Sequence, residues 1–443
     1  MRKVAVIGAG LVAGPLVEYL LGLKDIKVIV ADIDEARARQ LVGSHPAGEA
    51  RKLDLKDREA VARLVSEVEA VASMVPYTFH PYLASICLEH GRHLVTASYV
   101  SPAMKELDGK AREKGLIFLN ELGLDPGIDH MEAMRLMAEA KKQGGRVVSF
   151  ISYCGGLPAP EIKDDNPFGY KFSWSPRGVL LAGTNEARYL KDGQEVVVPA
   201  SELFAHYEMI DIPGLGKFEG YPNRNSVQYR EIYDIPEART LLRGTLRYPG
   251  WCFKMKKISE LGLLSLEERE WKAKTYAGFL REYLGIDLTD DLKAEVARKL
   301  NLPLDSEVMK ALEWLGLFSD QALPSSHSSP LDLLVALMVK NEKMQYGTNQ
   351  RDLTVLQHQV VFEFEGRGRE KVVSTLIDFG RPGGHTSMSR TVGLPVAIGL
   401  KLILENRIGH RGVLTPTVPE IYNPILEELK HQGINFKEER FSD

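Results

Sequence analysis

The chain has little cysteine. Cys87, Cys154 and Cys252 stand far apart in 443 residues, and no CxxC pair exists. That spacing argues against a disulfide framework and a zinc knuckle and points to a reducing cytoplasm. An excess of charge of one sign is also missing: the net charge is −4, which leaves no footprint for nucleic acid or an anionic membrane. Small anions stay open as ligands, because a local basic pocket does not need a basic protein. No window approaches about 18 consecutive apolar residues, so no membrane span is expected. The opening MRKVAVIGAG is basic and then apolar, but the run breaks at Gly8 and Gly10 after a strand's length. A strand is therefore read there instead of a secretory leader. No internal repeat is visible. What remains, 44% hydrophobic and 26% charged, is ordinary globular composition, and the length gives two or three domains.

Val4-Ala5-Val6-Ile7 is a short, fully apolar run, the mark of a buried parallel strand. Gly8-Ala9-Gly10-Leu11-Val12-Ala13 follows as a GxGxxA pattern, and helical spacing runs from Leu11 to Leu23. Strand, glycine turn and helix are the context a dinucleotide fingerprint requires. Gly8 permits the tight turn, Gly10 lets backbone approach a pyrophosphate, and Ala13 lets the helix sit close to the strand. The helix N-terminus offers free N–H groups to phosphates, and Pro15 falls where a missing N–H costs little. A second strand, Lys27 to Ala31, ends in Asp32. It lies about twenty residues beyond Gly10, where a carboxylate binds the ribose 2′-hydroxyl and repels a 2′-phosphate. NAD is therefore favoured over NADP, while Arg37 and Arg39 keep NADP open. The alternative is that Asp32 or Asp34 caps the helix 35–42.

Residues 50–55, 70–75, 93–96 and 116–119 read as further strands. Asp57 looks like a helix cap, and helices 81–90 and 102–114 alternate with the strands. This alternation predicts an α/β fold with a doubly wound parallel sheet. Ligands bind outside the carboxyl ends of such strands. Three polar or glycine-bearing loops fall there: VPYTFHP (75–81), TASYVSP (96–102) and NELGLDPG (120–127). Asp129 is expected to cap a helix over 131–142. Asp125, Asp129 and His130 could be read as metal ligands, but two are adjacent and no second histidine stands at i+4, so no metal site is expected. After Tyr248, residues 267–284, 292–300, 307–317 and 331–344 are amphipathic helical patterns with no strand between them. Residues 354–364 and 371–379, joined through Gly366-Arg367-Gly368, read as a hairpin, and a helix over 391–405 follows.

The three loops, together with SYCGGLPAP (152–160), NPFGYKFSWSPRG (166–178), YPNRNS (221–226), RGTLRY (243–248), LTVLQHQ (353–359) and RGVLTP (411–416), resemble the saccharopine dehydrogenases, above all the L-glutamate-forming enzymes. The resemblance implies an N-terminal Rossmann domain over 1–125, completed by about 386–443. It implies a mixed α/β substrate domain over 126–252 and 347–385, with an all-helical insertion over 253–346. It implies reversible oxidation of L-saccharopine to glutamate and 2-aminoadipate semialdehyde in lysine metabolism. Carried onto this sequence, cofactor contacts fall at Gly8, Ala9, Gly10, Leu11, Asp32, Asp54, Leu55, Val75, Thr96, Ala97, Leu124, Asp125 and Ser173. Substrate contacts fall at Ser98, Tyr99, Arg224, Thr245, Leu246 and Arg247. A homodimer is the family analogy. Fungal members place a basic residue after the second strand for NADP, whereas this chain has Ala31-Asp32-Ile33.

Saccharopine carries three carboxylates and a secondary amine, so its site should be rich in arginine. Lys171, Arg177, Arg224, Arg243 and Arg247 are the candidates. Arg224 and Arg247 are placed on substrate carboxylates, while for Arg177 and Arg243 a solvated surface charge fits equally. Proton transfers at the amine, at water and at the departing nitrogen need positioned groups. Asp125, Cys154 and Tyr99 are the candidates. Asp125 either stabilises the cationic iminium or orients the cofactor. Cys154, beside Gly155-Gly156, is read as pocket-lining instead of nucleophilic. Tyr99 donates a hydrogen bond to substrate or is a core tyrosine. Two other readings compete. A carboxynorspermidine-type dehydrogenase would need acids where RGTLRY and YPNRNS supply arginines. A noncatalytic dinucleotide-binding regulator would show a damaged substrate half beside an intact glycine loop.

Overall fold

The apolar run at the N-terminus becomes β1 (Arg2–Ile7), whose last four residues are buried. The computed structural model describes residues 1–442, which divide into two units. One is Met1–Val147 together with the chain from Val361 onward; the other is Val148–Val360. In the first unit β1 leads to α1 (Gly14–Leu21), β2 (Ile26–Asp32), α2 (Glu35–Val42), β3 (Gly48–Lys52), α3 (Arg58–Ser66) and β4 (Ala70–Ser73). Then come α4 (His80–His90), β5 (His93–Thr96), α5 (Pro102–Lys105), α6 (Asp108–Glu113), β6 (Ile117–Leu119) and α7 (Ile128–Lys142).

β7 (Gly145–Pro158) opens the second unit. It continues with α8 (Pro176–Ala182), β8 (Ala187–Lys191), β9 (Gln194–Val198), β10 (Glu208–Ile212), β11 (Gly216–Pro222), α9 (Tyr229–Ile232) and β12 (Thr240–Arg247). A mainly helical stretch follows: α10 (Trp251–Glu260), β13 (Arg269–Glu270), α11 (Tyr276–Leu284), α12 (Leu292–Lys299), α13 (Glu307–Leu315), β14 (His327–Ser328) and α14 (Pro330–Lys340). β15 (Asp352–Phe364) then leads the chain back into the first unit, which ends with β16 (Gly368–Phe379), α15 (Ser387–Leu404), β17 (Gly412–Leu414), α16 (Pro419–His431) and β18 (Phe436–Ser442).

The first unit holds a seven-stranded sheet in the order β17-β6-β5-β4-β1-β2-β3, and every pairing in it is parallel. This is the doubly wound arrangement expected from the alternation. The strand order reverses between β1 and β4, so the loops leaving those strands face the ligand crevice. α15 is the one described helix long and apolar enough to cross a membrane, yet 89% of it is buried inside the protein. It packs on α1 at Gly393, where a Cβ would stand 2.7 Å from the Val12 carbonyl oxygen. In the second unit β12 lies between parallel β7 and antiparallel β11. Helices α10 to α14 share a core that includes Trp251, Met255, Phe279, Leu312 and Leu334.

Several local expectations need correction. The helix expected over 267–284 starts only at Tyr276, because Thr275 caps it by accepting from the Gly278 N–H. The preceding residues are drawn into a ladder with 327–328, and the Trp271 Nε1–H donates to the Ser328 carbonyl. α7 begins at Ile128, so Asp129 is not its cap; it sits in the first turn, and its carboxylate accepts from the Gly127 N–H at 2.6 Å. The strand expected over 50–55 stops at Lys52, and Asp54 turns the chain by accepting from the Lys56 N–H. α2 and α3 are capped by Asp34 and Asp57, which leaves the Asp32 carboxylate for another purpose.

Candidate active site

Gly8 has φ +108, and a Cβ there would stand 2.7 Å from the Met74 carbonyl oxygen. Only glycine fits that turn. A Cβ on Gly10 would meet nothing within 4 Å, so its backbone faces open space, as the approach of a pyrophosphate requires. The Asp32 carboxylate accepts from the Ala9 N–H at 2.7 Å and from the Asp34 N–H at 2.9 Å. It therefore stands beside the glycine turn with no cation paired to it among the described residues. The two arginines that could receive a 2′-phosphate are already paired, Arg37 with Asp34 at 3.4 Å and Arg39 with Glu35 at 2.6 Å. Asp54 and Leu55 follow directly on β3, where the Leu53 N–H donates to the Asp32 carbonyl. Val75 leaves β4 half-buried. The loop set thus fits a dinucleotide.

The loops after β5 and β6 are zipped together. The Glu121 N–H donates to Ser98 O at 3.0 Å and the Leu122 N–H to Thr96 O at 3.1 Å. The Glu121 carboxylate accepts from the Val100 N–H at 3.0 Å. This pairing brings two expected catalytic residues into contact: the Tyr99 hydroxyl donates to Asp125 Oδ1 at 2.9 Å. Leu124 is buried beside them. Glu121 itself adopts φ +59, a conformation that non-glycine residues seldom take. His130, fully buried on α7, has Nε2 2.9 Å from the Glu121 carboxylate and Nδ1 3.6 Å from that of Asp129. The acids and histidine around Asp125 are therefore a buried brace. Among the described residues no group of three or more His, Cys, Asp or Glu side chains could hold a metal ion.

His80 was not singled out from the sequence, although it ends the loop leaving β4. Its ring is 4% exposed. Nδ1 lies 2.7 Å from Ser73 Oγ, and Nε2 lies 2.9 Å from Ser98 Oγ and 3.1 Å from Thr96 Oγ1. Burial pushes its pKa down from 6.5 to about 4, so it is neutral at physiological pH. The unfolded chain then binds more protons than the folded one between those two values, and stability falls as the pH drops through that window. The loss from this residue should reach on the order of 3 kcal/mol. Urea midpoints for wild type and H80Q should converge between pH 7.5 and pH 4.5; parallel profiles would refute it.

In the second unit, Cys154 on β7 is buried and lies in register with Thr245 on β12. The neighbouring Gly155 is needed for close approach of these strands: a Cβ there would stand 2.9 Å from Leu246 Cβ. Arg247 is 5% exposed. Its guanidinium lies 5.0 Å from the Tyr170 ring centre and 5.5 Å from that of Trp251. Nη1 donates to the Leu246 carbonyl, Nε has no partner, and no carboxylate pairs with it among the described residues. Other buried donors nearby or in the same motifs also lack partners: Trp251 Nε1, the Tyr346 hydroxyl and Ser173 Oγ. The remaining cations differ. Lys171 donates to the carbonyls of Lys343 and Gln345 and pins that segment. Arg177 pairs with Asp332 at 2.8 Å. Arg243 packs over the Tyr229 ring at 4.2 Å. Arg224 is exposed at the end of β11 with φ +53.

Residues 4–119 match the family model described as the saccharopine dehydrogenase NADP binding domain, and residues 123–434 match the saccharopine dehydrogenase C-terminal domain. The chain belongs to the saccharopine dehydrogenase family. It is 42% identical over 447 residues to saccharopine dehydrogenase (NADP(+), L-glutamate-forming) of Saccharomyces cerevisiae, with 99% of both chains covered. It is 38% identical to the mitochondrial alpha-aminoadipic semialdehyde synthase of Bos taurus, covering 98% of this chain and 47% of that one. The solved apo structure of the L-Glu-forming saccharopine dehydrogenase from Saccharomyces cerevisiae superposes with a TM-score of 0.88 at 40% identity, covering 100% of both chains. Residues 4–119 are thus the nicotinamide dinucleotide-binding part of a member of this family.

Proposed function

We propose that the protein catalyses the reversible, nicotinamide-dependent oxidation of the secondary amine of L-saccharopine, giving L-glutamate and 2-aminoadipate 6-semialdehyde. The observation that carries this reading is Arg247, a buried guanidinium with no carboxylate partner among the described residues. A desolvated cation is costly unless a ligand supplies the counter-charge, and a tricarboxylate does so. A polyamine substrate would leave that charge unmatched. Arg247 holds one carboxylate; Arg224, Ser98, Thr245 and Leu246 complete the substrate contacts. Cys154 lines the pocket.

A nicotinamide cofactor held at the glycine turn and Asp32 would supply the acceptor for the hydride on the carbon next to the amine nitrogen. The imine that results is cationic when protonated, and Asp125 is the anion set to stabilise it. The Tyr99 hydroxyl donates to Asp125, which favours the charged carboxylate and fixes its direction. Asp125 also takes the proton released when water adds to the imine, returns it to the nitrogen, and takes the carbinolamine hydroxyl proton as the C–N bond breaks and the aldehyde forms. Gly8 to Leu11, Asp32, Asp54, Leu55, Val75, Thr96, Ala97, Leu124 and Ser173 hold the cofactor.

The relatives' names carry NADP(+). For this chain we favour NAD, because the Asp32 carboxylate, held beside the glycine turn by the Ala9 and Asp34 N–H groups, would repel a 2′-phosphate, and Arg37 and Arg39 are paired with Asp34 and Glu35. Purified protein with L-saccharopine should reduce NAD with at least about tenfold higher kcat/KM than NADP, and Asp32→Ala should shrink that ratio about tenfold. Faster turnover with NADP would overturn the NAD reading and leave the reaction standing. No turnover with either would overturn the reaction.

A further inference from the structure

Ser73 and His80, which form a hydrogen-bonded chain with Ser98, have no role in the reaction as described so far. Ser73, at the end of β4, is 1% exposed, and its hydroxyl has the His80 ring as its only partner among the described residues. A buried O–H needs an acceptor, and Nδ1 provides one. When Nδ1 accepts from Ser73, the ring proton sits on Nε2, which lies 2.9 Å from Ser98 Oγ and 3.1 Å from Thr96 Oγ1. Thr96 is 1% exposed and cannot offer its hydroxyl outward. Ser98 is only half-buried, and His80 is the one partner of its hydroxyl oxygen among the described residues. With that oxygen accepting from His80, the Ser98 hydrogen is left to donate away from the ring. The chain ends at a buried serine, so it is no route for a proton to solvent.

We propose that His80 is a positioning residue: locked between Ser73 and Ser98, its ring turns the Ser98 hydroxyl into a fixed donor for a substrate carboxylate. The inference rests on the saccharopine reaction proposed above. It separates the two halves of the imidazole. Glutamine at this position reaches about as far as Nε2 and can still donate to Ser98, whereas asparagine reaches only as far as Nδ1.

The test is steady-state kinetics on wild type, H80N, H80Q, S98A and H80N/S98A, with L-saccharopine varied at saturating cofactor. One lost hydrogen bond should raise the KM for saccharopine about threefold to tenfold in H80N with kcat within about twofold. H80Q should recover KM to within about twofold of wild type, S98A should match H80N, and the double variant should be no worse than either single one. Equal damage in H80N and H80Q, additive losses in the double variant, or an unchanged KM in H80N would overturn the role. Should H80N fail to fold, S98A and H80Q decide: an unchanged KM in S98A, or an S98A-like KM in H80Q, overturns it. A wild type that does not turn over saccharopine overturns the proposed reaction itself, before any variant is read, and the inference falls with it.

Discussion

Arg247→Met should lower kcat/KM for L-saccharopine by about a hundredfold or more while leaving the protein at least as stable as wild type. The two halves of this expectation have one cause. The guanidinium is 5% exposed, it has no counter-ion among the described residues, and its Nε lacks a partner. The rings of Tyr170 and Trp251 offset part of that desolvation. An apolar side chain of similar length avoids the burial cost, and such replacements are commonly neutral or stabilising by about 1–4 kcal/mol. The same replacement strips the substrate carboxylate of its partner, which costs about 2–5 kcal/mol at a buried charged pair. Arg247→Lys should not rescue activity, because a point charge cannot reproduce the planar fork. Kinetics and thermal melts on both variants check this. A variant with wild-type KM for saccharopine would remove Arg247 from the site.

Asp125→Asn should lower kcat by about a hundredfold to ten-thousandfold, the range for losing a positioned acid–base group. Cofactor affinity should change little by comparison. Tyr99→Phe should cost less, about tenfold to a hundredfold, because it removes one hydrogen bond to a charged group, worth about 1.5–3 kcal/mol. The Tyr99 hydroxyl acts through the Asp125 carboxylate at 2.9 Å, so adding Tyr99→Phe to Asp125→Asn should bring almost no further loss. Losses that multiply would mean that Tyr99 acts on substrate directly. A kcat unchanged in Asp125→Asn would leave the residue a cofactor contact and nothing more.

The nucleotide unit was legible because its signals are local. A glycine turn between an apolar strand and a helix, and an acid at the end of the next strand, need no distant partner to be read. The brace around Asp125 was not legible in that way. Asp129 reads as a helix cap in the sequence, but the turn through Gly127, at φ +150, starts α7 at Ile128. That shift sends its carboxylate back to the loop. His80 escaped notice for a different reason: its partners Thr96 and Ser98 come from the exit of another strand, and only the parallel register of β4 with β5 puts them beside Ser73. In the second unit the arginines were visible as residue types, but not their state. Lys171, Arg177 and Arg247 look alike in a sequence; pairing separates a structural cation from one that awaits a ligand.

The sheet that holds the cofactor loops is closed at one edge by β17, whose Gly412–Leu414 pairs with Ile117–Leu119 of β6, while α15 covers α1. The strands that carry the fingerprint leave the ribosome before the whole second unit, and these partners leave it after that unit. Until then the nascent first half carries an open apolar edge and an uncovered helix while the whole second unit is synthesised. Closing so long a loop is slow, because contacts distant in sequence delay folding. Chaperone demand during synthesis should therefore be set by the N-terminal half. Ribosome-bound chains stalled before β17 should be captured and cleaved far more readily than chains stalled beyond it.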